Sequence, residues 1–244
     1  MIKKVLFLFV AVGCLGPPVW AAGVEEDAAA ATDGCAERYQ ALVAKEREAQ
    51  QAFYAVYREA KTDEERQKAM ASRPSPDAMA PDFLALAKEC PGTKTATDSL
   101  AWILMRSRQG DAREESIRLL RKKYLKSEHL AAVIPALSRS GGKSSEALMR
   151  AALKKSPHRD VRWTACFYLA QSLKSDLRSL RYMKTLEGEQ RDSWAKAVGE
   201  EQVARLEKLD PAKQAQKIET LFARVVEEFG DVDGGRRTLG EAAT

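Results

Sequence analysis

SPHRDVRWTACFYLAQSLK (156–174) is the most apolar internal stretch of the chain. Ser156 is suited to cap a helix and Pro157 to sit in its first turn, where a missing N–H removes nothing. Val161, Ala165, Leu169 and Leu173 recur at four-residue steps, and Trp163, Cys166, Phe167 and Ala170 cover much of the remaining circumference. A helix apolar on most sides is packed on most sides. The stretch therefore predicts the central helix of an all-α protein.

Upstream, apolar residues at helical spacing predict pairs of helices separated by turn residues. Pro81 opens one helix, stopped at Cys90-Pro91-Gly92, and its partner covers 95–108. Helices over 112–125 and 128–138 follow, then one over 144–155 that pairs with the central helix, with breaks at Gly110-Asp111 and Gly141-Gly142. The pair starts near 81, 112 and 144 are 31 and 32 residues apart. That period predicts stacked helical hairpins forming an α-α superhelix of the tetratricopeptide or HEAT type, in which each pair buries its face on the next.

Before the hairpins, 36–61 forms a long helix with Tyr39, Leu42, Phe53 and Val56 on its apolar stripe and Glu46, Arg47 and Glu48 opposite. A short helix over 64–72 follows the Thr62-Asp63 stop, and Pro74 and Pro76 end it. After the central helix, further helices cover 175–186, 188–198 and 200–209. Asp210-Pro211 then opens a last one over 212–229, ended by Gly230. No segment alternates with period two, so sheet folds are disfavoured.

The first residues, MIKKVLFLFVAVGCLGPPVWAAG (1–23), have the layout of an export signal: Lys3 and Lys4, an apolar core over 5–15 too short to span a bilayer, and small or aliphatic residues at Val19 and Ala21 before a cut. The expected division is a signal peptide over 1–21, a flexible acidic and alanine-rich lead-in over 22–34, a helical repeat-like domain over 35–230, and a flexible tail or truncated linker over 231–244. The expected location is exported, periplasmic or secreted. A second route stays open, because Ala11-Val12-Gly13-Cys14 resembles a bacterial lipobox. Acylation of Cys14 would anchor the chain, and membrane contact is expected only in that case.

Without Cys14 three cysteines remain, Cys35, Cys90 and Cys166, none at C-x-x-C or metal-ligand spacing. Cys166 lies in the most apolar helix and is expected as an inert core thiol. A Cys35–Cys90 bridge is open in an oxidising compartment, but the spacing does not call for one, and stability is expected from helix packing. His129 and His158 stand alone, Gly141-Gly142-Lys143-Ser144 lacks the strand and upstream glycine of a phosphate loop, and no serine sits in a nucleophile elbow. No catalytic residue, metal or cofactor is expected.

Charge is uneven. The segment 106–184 carries 19 Lys/Arg against 7 Asp/Glu, in a chain of net charge +5. Most such charges belong on solvated helix faces. The concentrated turn Arg121-Lys122-Lys123-Tyr124-Leu125-Lys126 is the candidate contact for an anionic group, so Arg121, Lys122, Lys123 and Lys126 are named as an interaction surface. Trp102 and Trp194 join them as groove aromatics, although core packing is the commoner use of such residues. Nucleic acid is not expected as a partner of an exported chain with one basic turn.

Four strings carry a family resemblance: EERQKA (64–69), APDFLALAKECPGTKTATDSLAWIL (80–104), KKSPHRDVRWTACFYLAQSLKS (154–175) and LEKLDPAKQAQKIETLFARVVEEFGDV (206–232). With RTLGEAA (237–243), which is similar to a linker, they resemble the amino-terminal helical region of exported bacterial TlpA-like thiol–disulfide oxidoreductases. The family's chemistry rests on a C-x-x-C pair in a following thioredoxin-fold domain. That pair is absent here, so no catalytic residue carries over. The resemblance implies a non-catalytic exported scaffold, accessory to an envelope thioredoxin-like protein. Two alternatives stay open: a thiol–disulfide redox protein using single thiols, and a basic-surface binder of anionic polymer or lipid.

Overall fold

A computed structural model describes residues 20–107 and 110–232. Among them the chain is all-α, with eleven helices and no strand: α1 Trp20–Glu59, α2 Asp63–Ala71, α3 Pro76–Glu89, α4 Lys94–Arg106, α5 Asp111–Lys123, α6 Leu130–Ser140, α7 Gly142–Lys155, α8 Arg159–Met183, α9 Gly188–Val198, α10 Glu200–Glu207 and α11 Pro211–Phe229. The export signal expected over 1–21 lies almost wholly outside these residues. The segment expected as a lead-in over 22–34 is written into the backbone of α1, in keeping with its alanines and glutamates, which favour helix.

Two rows of helices form the body. In one, α3 packs on α5 and α5 on α7; in the other, α4 packs on α6 and α6 on α8. The rows face each other through α3 on α4, α4 on α5, and α7 on α8. The last helix, α11, lies along α8, while α9 and α10 close over the end of α8. At the other end α1 covers α3 and α4, and α2 folds back on α1. The interior is continuous from Ala87 to Phe229, with Leu100, Leu120, Ile134, Leu148 and Leu169 fully buried within it.

The central helix differs from expectation at both ends. Ser156 does not open it: the Ser156 N–H still donates to the Ala152 carbonyl, so Ser156 closes α7, and α8 begins at Arg159. At the far end the helices expected over 156–174 and 175–186 are one helix of 25 residues. Lys174-Ser175-Asp176 contains no proline or glycine, and Leu173, Leu177 and Leu180 continue the buried stripe. Similarly, α3 begins at Pro76 rather than at Pro81, since Pro76 occupies the first turn behind Ser75 and Pro81 lies inside the helix.

The breaks behave as their residues require. Gly110 opens α5 at φ +103 and Gly141 separates α6 from α7 at φ +64, backbone that L side chains adopt only with strain. Thr62 and Glu65 form a reciprocal capping box on α2, and Asp210 accepts from the backbone N–H groups of Ala212 and Lys213 to start α11.

Two ties hold α1 that the sequence did not announce. Cys35 of α1 is bonded to Cys90 at the end of α3, across 55 residues. Glu46, expected on the solvated side, is 5% exposed. Its carboxylate accepts from the Trp102 indole N–H at 3.0 Å and from Arg106 at 2.7 Å, both on α4, and from Gln50 at 2.6 Å. A buried carboxylate is stable only with such donors. Glu46→Ala strands the buried Trp102 N–H and is expected to cost about 2 kcal/mol. Glu46→Gln keeps one acceptor and should cost less, the two compared by urea denaturation followed through tryptophan fluorescence.

Candidate interaction surface

The basic turn lies where α5 stops. Arg121, Lys122 and Lys123 fill the last turn of α5, where cations oppose the partial negative charge of the helix end, and Lys126 follows in the connection to α6. All four side chains are exposed. The Tyr124 hydroxyl accepts from the Gly92 N–H at 3.2 Å, which ties this turn to the α3–α4 turn. On the other side the His158 ring Nε2 stands 2.9 Å from the Lys126 carbonyl, which ties it to the α7–α8 turn. Each tie joins positions 32 residues apart. Three successive turns thus lie along one edge of the body.

Lys154 and Lys155 end α7 as Lys122 and Lys123 end α5, and α5 packs beside α7. The edge therefore repeats its charge from one helix to the next. Neighbouring cations are neutralised: Lys88 and Arg118 by Glu115, Arg150 by Glu146, Arg159 by Asp231. Arg121, Lys122, Lys123, Lys126, Lys154 and Lys155 have no such acidic partner among the described residues. A groove of about 770 Å³ runs between α3 and α5; of these six cations only Arg121 lines it, together with Leu84 and the carboxylates Asp111, Glu114 and Glu115. Cations left in water without an acidic partner attract an anionic partner more than they stabilise the fold.

The aromatic half of the expected surface is not there. Trp102 is 4% exposed, stacked on Phe83 with ring centroids 3.9 Å apart and bonded to Glu46. It sits on α4 with Glu46 as the acceptor for its N–H, so the whole ring buries. Trp194 is half-buried on α9, edge-on to Tyr182, and packs in a separate cluster with Leu180, Met183 and Leu206. Neither ring joins the basic turn. Cys14 lies outside the described residues.

Cys35 and Cys90 are bonded to each other, and Cys166 is buried with its Sγ 3.4 Å from the Leu221 carbonyl. Burial, offset slightly by Arg224, pushes the Cys166 thiol up to about 11. At pH 8 only about one thiol in a thousand is then ionised, so Cys166 is expected to resist a disulfide reagent in the folded protein and to react at once in denaturant. Among the described residues no group of three or more His, Cys, Asp or Glu side chains is placed to hold a metal ion, and no helix is long and apolar enough to cross a membrane.

One feature escaped the sequence. Lys174, Arg178 and Arg181 fall on one face only because α8 runs unbroken through Ser175, and they border a groove of about 540 Å³ against α11. The absence of any breaker at 174–176 was the available signal. No protein-family model, curated protein or solved structure matches the chain.

Proposed function

We propose that the chain is an exported, non-catalytic helical scaffold that holds another protein against its basic edge, and that this partner is a thioredoxin-fold protein of the cell envelope. The observation that carries the reading is the row of unpaired cations, Lys122, Lys123, Lys126, Lys154 and Lys155, aligned across consecutive turns. The 32-residue spacing of the ties along that edge supports a repeat stack of the α-α superhelix kind, whose usual work is contact. Export is supported by the signal layout and by the Cys35–Cys90 bond, since such bonds persist in oxidising compartments. The thioredoxin-fold partner rests on the sequence resemblance.

The test is co-purification of the tagged full chain from the envelope, with Lys122→Glu/Lys123→Glu/Lys154→Glu/Lys155→Glu as the comparison. A thioredoxin-fold protein retained by the native chain and lost from the variant is expected, while equal retention by both would remove the basic edge from the account. The purified chain is expected to leave insulin disulfides intact; reduction that disappears on substituting Cys35 and Cys90 would favour the redox reading. The same cations also favour a second reading, a binder of anionic polymer or lipid headgroups. That reading requires heparin or anionic-vesicle binding that collapses steeply with salt.

A further inference from the structure

The groove between α8 and α11 combines two features that seldom coincide on a bare surface. Its walls carry Lys174, Arg178 and Arg181 at i, i+4 and i+7 of α8, a stripe spanning about 10 Å along the helix. All three are exposed, and none forms an ion pair among the described residues. The one carboxylate lining the groove, Glu219 of α11, pairs with none of them. The floor is apolar: Leu177 and Ile218 line it, with Ala215 and Phe222 half-buried. The Lys174 ammonium stands 5.8 Å from the centroid of the Phe222 ring, at the boundary between the two zones.

The geometry points to an amphipathic helix with an acidic flank as the occupant. Charge at helical spacing calls for carboxylates at the same spacing, and the floor calls for an apolar stripe beside them, as in other helix-in-groove contacts. A polyanion answers only the first demand and leaves Phe222 and Ala215 in water. The helix therefore belongs to a partner protein: its glutamates or aspartates meet Lys174, Arg178 and Arg181, and its apolar residues lie on Phe222. The proposal rests on the reading of the chain as a contact module and names the partner chemistry at a second surface, separate from the α5 edge.

The probe is a dye-labelled peptide of about twenty residues, long enough to hold a helix, with a leucine stripe flanked by a glutamate stripe. Fluorescence anisotropy follows its titration with the full chain, with Lys174→Glu/Arg178→Glu/Arg181→Glu, and with Lys122→Glu/Lys123→Glu. Circular dichroism checks that each variant, altered only at exposed positions, stays helical. Binding to the native chain is expected to weaken on the order of tenfold in the groove variant, as for three surface pairs removed together. The edge variant should bind as the native chain does. Replacing the peptide's glutamates or its leucines by glutamine should each cost a similar factor. Equal binding by the groove variant overturns the proposal, as does undiminished binding of the leucine-free peptide, which would mark a polyanion site. Absence of binding to the native chain also overturns it. None of these results alters retention of a partner by the α5 edge, so failure here is distinguishable from failure of the contact reading itself.

Discussion

Reduction of the Cys35–Cys90 bond is expected to destabilise the protein by about 4 kcal/mol, the loop-closure value for a bridge across 55 residues. For a domain of this size that corresponds to about 10 °C in the thermal midpoint. The bond joins α1 to the end of α3, at one extremity of the stack. There, α1 is also held by the Glu46 contacts, by the edge-on ring contact of Tyr39 with Phe83, by Leu42 and Val43 packed on the same cluster, and by the Arg38–Glu89 and Lys45–Asp82 ion pairs. Cys35→Ser/Cys90→Ser should match the reduced native chain and show no further response to reductant, as followed by circular dichroism on heating. An unchanged melting curve would mean that packing alone retains α1.

Asp176→Ala should be as damaging at the other extremity. The Asp176 carboxylate on α8 is held by the Arg205 guanidinium of α10 through two bonds, one of them 2.7 Å, and by Gln202 at 3.3 Å. The two charged side chains are only 9% and 11% exposed. Removing the carboxylate leaves a guanidinium with little water and no counter-charge, at a cost of about 3 kcal/mol. Replacing both partners, Asp176→Leu/Arg205→Met, should recover much of the loss, because neither charge is then stranded. A double-mutant cycle in urea measures this coupling. Additive losses would show that the pair acts independently.

These two ties were also the least legible parts of the sequence. Helix limits set by local chemistry could be read directly: Gly110 and Gly141 at positive φ, the Thr62 cap, and Asp210-Pro211 at the head of α11. Features set by tertiary partners could not. Glu46 looks solvated until Trp102 and Arg106 of α4 are brought beside it, and Trp102, for which core packing is the commoner use, finds the acceptor for its N–H only there. Asp176 follows a lysine and a serine and looks solvated, yet it is buried against Arg205 of α10 as α8 continues through it. The Cys35–Cys90 pairing needs the middle of α1 beside the end of α3, which no spacing rule supplies. Half of the expected surface was accessible to the same local logic. A lysine-rich last turn is exposed wherever a helix ends in solvent, whereas the α8–α11 groove depended on helix continuity across Lys174 and Ser175.

Position-resolved photo-crosslinking in living cells tests the central claim most directly. A photoreactive residue is introduced singly at Lys122, at Lys154 and, as a control away from the basic edge, at Lys68 of α2. One and the same protein is expected to crosslink from Lys122 and Lys154 and none from Lys68, with the crosslink lost when the neighbouring lysines are reversed to glutamate. Crosslinks of equal yield from all three positions, or none from either lysine of the edge, would contradict it.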